Sequence, residues 1–219
     1  MTEFSGMAVE EVAVGSNLRV VPQQARGRDK VARLLAAADR VMAAEGVEAI
    51  TTVRIAAESG VSVGSLYRYL PNRDAIIESL ARHYLTLLEQ RMDEVGLELA
   101  GTSGDVVGLS IDAFADFYRD HPGFRALWFS RHLTEETREQ DRAHKLAMAH
   151  RIRGLLVERG IGRHDESTLR FAQTIQLTAD ALIQEAFRMD PRGDAVLLAH
   201  LKTMVRSYLL EMAAESSDH

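Results

Sequence analysis

The stretch Thr51–Ile77, TTVRIAAESGVSVGSLYRYLPNRDAII, decides how this chain folds. Thr51 stands where a helix N-cap belongs, because its hydroxyl can accept from the free N–H groups of the turn that follows. Ile55, Ala56 and Ser59 then share a face, and Gly60 ends this helix after roughly two turns. Val61 is apolar and can plug the corner. Ser62 can cap a new helix at once, with Leu66 and Leu70 on one face and Pro71 as its stop. Asn72 or a neighbour starts the next, in which Ile76, Ile77, Leu80, Tyr84, Leu87 and Leu88 are periodic. A helix broken and restarted within two residues is a device that an ordinary core does not require.

Working outward, Val31, Leu34, Leu35, Ala38, Val41 and Met42 fall on one face of a helix expected from Arg28 and stopped at Gly46. Residues 1–25 have no periodicity and are expected to form a flexible arm. On the C-terminal side, Gly101-Thr102-Ser103-Gly104 reads as a loop and Asp105–Asp120 as a helix. His121-Pro122-Gly123 reads as a break, followed by a short aromatic-rich helix over Phe124–Arg131. Glu135–Arg159, with Leu146, Ile152, Leu155 and Leu156 inward, Asp165–Arg188 and Asp194–Ala214 are the long helices that remain. No segment sustains a period of two. The fold class is all-α, with nine or ten helices divided into the arm (1–25), a three-helix unit (26–72) and a larger helical domain (73–219).

The composition agrees. Of 219 residues, 46% are hydrophobic and 26% charged, which suits a globular chain with a real core. Cysteine is absent, which excludes disulfides and thiolate chemistry and fits a reducing cytoplasm. The N-terminus carries Glu3, Glu10 and Glu11 without a long apolar run, so no signal peptide is expected, and no run reaches membrane-spanning length. Net charge is −6, yet Arg26–Arg91 holds 10 basic and 8 acidic residues against 15 and 21 from Met92 onward. A mildly basic N-terminal third therefore precedes an acidic remainder.

Two short helices joined by a tight glycine turn are the elements of a helix-turn-helix, in which the first helix braces a second that enters the DNA major groove. A groove about 12 Å wide admits a helix whose approach is unobstructed. Ser62, Gly64 and Ser65 give that clearance, and their hydroxyls and backbone N–H groups can meet phosphates or base edges. Tyr67, Arg68 and Tyr69 are expected on or beside the exposed face, with Leu66 and Leu70 inward. A plain helical hairpin within a bundle uses the same elements.

The ordered set of Thr51 cap, Ala56, Gly60-Val61-Ser62, Leu66-Tyr67, Pro71 and Arg73 resembles the DNA-binding signature of the tetracycline-repressor (TetR) family. The resemblance is specific over about Arg28–Leu80 and architectural beyond. It implies that Thr51 and Thr52 press against a phosphate, and that Ser62, Val63, Gly64 and Ser65 form the tip of the recognition helix. Tyr67 and Arg73 are implied to be phosphate contacts, and Tyr69 a contact to backbone or base. Val63 and Gly64 offer no side-chain hydrogen bonds, so base reading would fall to Ser65, Arg54 and Arg68. Val63 could meet a thymine methyl. Arg26 and Arg28, placed before the first helix, match an arm near the minor groove or a solvated basic pair.

The resemblance further implies a homodimer on a palindromic operator, joined through the last two helices. Leu182, Leu201, Met204, Val205 and Tyr208 are the interface candidates, with an intramolecular core the competing use of these side chains. It also implies a small-molecule effector, apolar or aromatic, held by the middle helices and acting by a two-state shift that releases DNA. Phe114, Phe117, Trp128, Gln173 and Gln176 are the effector candidates, Phe117 and Trp128 foremost. No cofactor or metal is expected. Glu-x-x-His, His-Glu-x-x-His and phosphate-loop patterns are missing, and Asp141 with His144 is an isolated pair. An enzyme is therefore not expected. A helical small-molecule carrier without DNA binding is the alternative reading.

Overall fold

Apolar periodicity becomes nine α-helices in the computed structural model, which describes residues 25–99, 104–130 and 133–217, with no strand among them. They are α1 (Ala25–Glu45), α2 (Thr52–Ser59), α3 (Val63–Tyr69), α4 (Arg73–Leu99), α5 (Val106–Asp120), α6 (Pro122–Trp128), α7 (Glu135–Glu158), α8 (Glu166–Met189) and α9 (Ala195–Ser217). The expected arm, up to residue 24, and most of the expected loop at 101–104 lie outside the described residues. No helix among the described residues is long and apolar enough to cross a membrane.

The chain divides into two units. The first runs to Leu87 and includes His121–Gln140; the second is Leu88–Asp120 with Asp141–His219. The division between these units falls within α4, and α6 belongs to the first. α4 and α7 each contribute residues to both units.

In the first unit, Val31, Leu34, Leu35, Ala38 and Met42 of α1 are fully buried, the face that the spacing predicted. α1 begins at Ala25, so Arg26 and Arg28 sit in its first turn and not in an arm ahead of it. Gly46 ends α1, and a short 3-10 turn, Val47–Ala49, unread in the sequence, carries the chain to Thr51. Its Val47 and the following Ile50 are buried, which anchors the approach to α2. The Thr51 hydroxyl accepts from Arg54 N–H at 3.2 Å, capping α2. Gly60 stops it at φ +65°, a conformation that a Cβ disfavours. Arg33 on α1 donates to Ser59 O at 2.7 Å and so grips the end of α2. Asn72 Oδ1 accepts from Ala75 N–H at 2.8 Å and starts α4.

α6 begins two residues before the expected Phe124, because proline suits the first position of a helix, where no N–H is required. Its second residue, Gly123, lies against the Tyr84 hydroxyl and Asp39 carboxylate, which hydrogen-bond each other. A side chain there would displace that bond. Burial, followed by the charge of Asp39 and the bond to it, pushes the Tyr84 hydroxyl well above the ordinary tyrosine range. The rings of Phe124 and Trp128 pack 4.2 Å apart, closing this core.

The second unit is built on α5, α8 and α9. Tyr118 of α5 stacks on Phe187 of α8 at 5.3 Å, and Phe171 of α8 stacks on Tyr208 of α9 at 4.0 Å. Asp165 caps α8 by accepting from Thr168 N–H at 2.9 Å. Leu146, expected inward, is 45% exposed on α7.

Candidate functional site

The α2–α3 corner places its side chains in two layers. Ile55, Leu66 and Leu70 are fully buried, which fixes the orientation of both helices. Thr51, Val53, Ser62, Val63, Gly64, Tyr67 and Arg68 are exposed, and Thr52 and Ser65 half-buried. Ser62 caps α3 by accepting from Ser65 N–H at 3.3 Å, and its hydroxyl donates to Ser65 Oγ at 3.0 Å. A Cβ at Gly64 would have no neighbour within 4 Å, so the leading turn of α3 is open to an approaching surface. The Thr52 and Tyr67 hydroxyls share a hydrogen bond at 3.1 Å, joining the start of α2 to the outer face of α3. Two hydroxyls so paired can both turn toward one phosphate.

Three expectations are corrected here. Tyr69, expected on the exposed side, is buried at 6% exposure, because in so short a helix it falls near the face of Leu66 and Leu70. The Arg68 guanidinium lies 5.7 Å from its ring centroid. Arg54 is held by both oxygens of Glu45, one of them at 2.8 Å, and is not a free base reader. The hydrogen bond from Arg54 lowers the Glu45 carboxyl below the usual range, and the reciprocal bond raises the guanidinium. Arg73 donates to the carbonyls of Ile50 at 3.1 Å and Val47 at 3.0 Å, so its guanidinium braces the turn ahead of α2. Arg68 remains the exposed cation of α3, with no ion pair to it among the described residues. Sequence reasoning missed Val53, 64% exposed beside Thr52; its place between Thr52 and Arg54 was the available signal.

A cavity of about 140 Å³ lies within the second unit, with walls from α4, α5, α7, α8 and α9. The walls are aliphatic, among them Met92, Ile111, Met148, Leu156 and Ile183, with Phe114 contributing an aromatic ring. Three polar side chains border it: Ser110, Arg151 and Gln176. Of the effector candidates, the structure brings Phe114 and Gln176 together on the cavity. Phe117 is buried elsewhere, Trp128 belongs to the first unit, and Gln173 lines a neighbouring cleft with Arg142, Lys145, Leu146 and Gln176. Aromatic residues at helical spacing went to cores, as their area favours. Arg151 was missed, although it recurs on the same stripe as Met148, Ile152 and Leu155. It pairs with Asp93 at 3.2 Å and donates to Met148 Sδ at 3.4 Å.

Of the interface candidates, Leu201 and Val205 are buried in the chain's own core, Val205 on the cavity wall, a correction to their expected role. Leu182 and Tyr208 are half-buried, while Met204 is 52% exposed. Val196, Leu177 and Leu210 are also exposed on α8 and α9.

Asp141 and His144 do not converge. Asp141 accepts from Lys145 at 2.7 Å, and Lys145 reaches Asp180 at 2.9 Å. Burial disfavours the Lys145 charge, but the two carboxylates outweigh it and raise its pKa. His144 meets Glu89 at 3.0 Å, a hydrogen bond that lowers the Glu89 carboxyl. Among the described residues no group of three His, Cys, Asp or Glu side chains could hold a metal ion.

The tetracyclin repressor-like C-terminal domain model matches residues 101–213, and the model for bacterial regulatory proteins of the tetR family matches residues 34–80. The chain belongs to the TetR family. Among relatives of this TetR-family chain, an uncharacterized HTH-type transcriptional regulator of Bacillus subtilis, YerO, is 28% identical over 112 residues, 51% of this chain and 39% of that protein. The nucleoid occlusion factor SlmA of Pasteurella multocida is 37% identical over 82 residues, 36% of this chain and 39% of its own length. The chain thus spans about two-fifths of the length of these curated relatives. A TetR-family transcriptional regulator from Streptomyces coelicolor superposes with a TM-score of 0.61 at 26% identity, covering 84% of this chain and 99% of that one. FadR of Bacillus subtilis, solved in complex with stearoyl-CoA, shares the fold at a TM-score of 0.60 and 18% identity, over 83% and 96% of the two chains.

Proposed function

We propose that this TetR-family chain is a ligand-responsive, DNA-binding transcriptional regulator, acting in the cytoplasm as a dimeric repressor on a palindromic operator. The observation that carries this reading is the open leading turn of α3. Ser62, Val63 and Gly64 stand exposed, with no neighbour near the Gly64 Cβ position, and the Thr52–Tyr67 hydroxyl pair beside them. Ser65 and Arg68 read base edges, Val63 offers a methyl to thymine, and Thr51, Thr52 and Tyr67 fix the register on phosphates. Arg73 and Arg54 act through the bracing of α2. DNA reading falls to residues 26–72, and effector binding and dimerisation to 73–219.

The cavity holds a small, largely apolar effector, and the exposed side chains Leu177, Val196, Met204 and Leu210 serve the partner face. Effector binding favours the DNA-released state by a coupling of about 1–3 kcal/mol. α4 and α7 both supply residues to the two units, and α4, which follows α3 in the chain, carries the shift. Fluorescence anisotropy with labelled duplexes in the presence of random competitor tests the regulator. A sequence-selective complex that weakens steeply with salt is expected. Absence of any selective complex would leave the carrier reading in its place.

A further inference from the structure

We infer that the cavity takes an uncharged, mostly aliphatic molecule of about six to eight non-hydrogen atoms, recognised by one hydrogen-bonding head at Gln176. This rests on the reading of the second unit as an effector domain and names the chemistry that domain accepts. The size follows from the volume. A cavity of about 150 Å³ lined by Leu, Ile and Phe holds benzene, and this one is about 140 Å³ with a mostly aliphatic wall.

The head group follows from three polar side chains. Arg151 is already neutralised by Asp93 at 3.2 Å. Ser110 sits at the α5 wall and can hydrogen-bond the backbone of its own helix. Gln176 is 6% exposed, borders both the cavity and the adjoining cleft, and among the described residues no protein group hydrogen-bonds its carboxamide. A carboxamide that no protein group bonds, standing on the cavity wall, is free to pair with the polar head of a ligand. The carboxamide offers both a donor and an acceptor, which suits an alcohol, ketone or ester oxygen.

Charge sets the class. Arg151, the cation on the cavity wall, already holds Asp93, so a carboxylate head would be buried among aliphatic side chains without a cation of its own. An ammonium head is disfavoured in the same way, because burying a charge in an aliphatic cavity is unfavourable.

The test is a titration of the full chain, carrying 13C-methyl methionine, with 1-hexanol, hexanoate and hexylamine. The methyls of Met92 and Met148 line the cavity and report occupancy. Saturable shifts of both by hexanol are expected, with hexanoate and hexylamine at least about tenfold weaker. Gln176→Met should weaken hexanol about fivefold to tenfold, the loss of one hydrogen bond. Ala179→Phe, which fills the cavity, should abolish the shifts while the melting temperature holds. Equal or tighter binding of either charged probe, unchanged hexanol affinity in Gln176→Met, or no shift with any probe overturns the inference. Duplex binding by the ligand-free protein is measured separately. Selective DNA binding without hexanol shifts sinks the ligand class alone, and hexanol shifts without a selective complex sink the regulator reading alone.

Discussion

The paired hydroxyls of Thr52 and Tyr67 are the clearest residue-scale prediction. Tyr67→Phe removes the hydroxyl proposed to meet a phosphate, so affinity should fall by about 1 kcal/mol for every sequence, with base preference and the slope of the salt dependence unchanged. Competition titrations at several salt concentrations check this. Gly64 separates folding from function more sharply. A Cβ at this position meets nothing in the free protein and the glycine sits in the first turn of α3, so Gly64→Leu should leave stability within about 0.5 kcal/mol of the parent. The same side chain blocks the approach to a groove wall, and DNA affinity should drop by at least about tenfold. Thermal melts beside anisotropy titrations distinguish the two effects. At this scale the caps were legible because they are local: Thr51, Gly60 and Ser62 act within three residues of themselves. The roles of Arg54 and Arg73 were not, because their partners Glu45, Val47 and Ile50 lie 9 to 26 positions away and come near only through the unread 3-10 turn.

At the scale of elements, α6 meets α1 and α4 through Gly123, whose missing side chain lets Tyr84 bond Asp39. Gly123→Ala should break that buried bond and overpack the junction, destabilising the fold by about 3 kcal/mol. A lowered urea midpoint checks it. His83 on α4 supplies a pH signature. Burial, with a smaller effect from the charge of His121, pushes its pKa down from 6.5 to about 4. The unfolded chain therefore takes up the proton first as pH falls. The contribution of His83 to stability is complete above about pH 6.5 and is lost as pH drops toward 4, by roughly 3 kcal/mol. Denaturation curves across that window should show the decline, and His83→Met should flatten it. Helix existence was legible from the 3.6-residue spacing, which α1 fulfils residue by residue. The start of α6 was not, because Pro122-Gly123 reads as a break unless proline is allowed to open the helix.

At the scale of the molecule, the second unit was legible in architecture but not in its interior. Five helices contribute to the cavity, and periodicity along one helix says which face is apolar without saying whether that face meets another helix or a void. Phe117 and Trp128 were therefore drawn into cores, whereas Gln176, a polar residue on an apolar stripe, did mark the wall. The same ambiguity governed α9, where Leu201 and Val205 turned inward and Met204 outward. If the outward residues join two copies, the two α3 helices must meet successive major grooves, and the DNA they prefer must carry the same symmetry. Selection of bound duplexes from a random pool tests this most directly. The expected result is an enriched sequence with dyad symmetry and half-sites about 34–36 Å apart or a multiple of that spacing. A pool that gains no consensus after repeated rounds, or gains one that Ser65→Ala and Gly64→Leu leave untouched, would contradict the assignment of α3 as the helix that reads DNA.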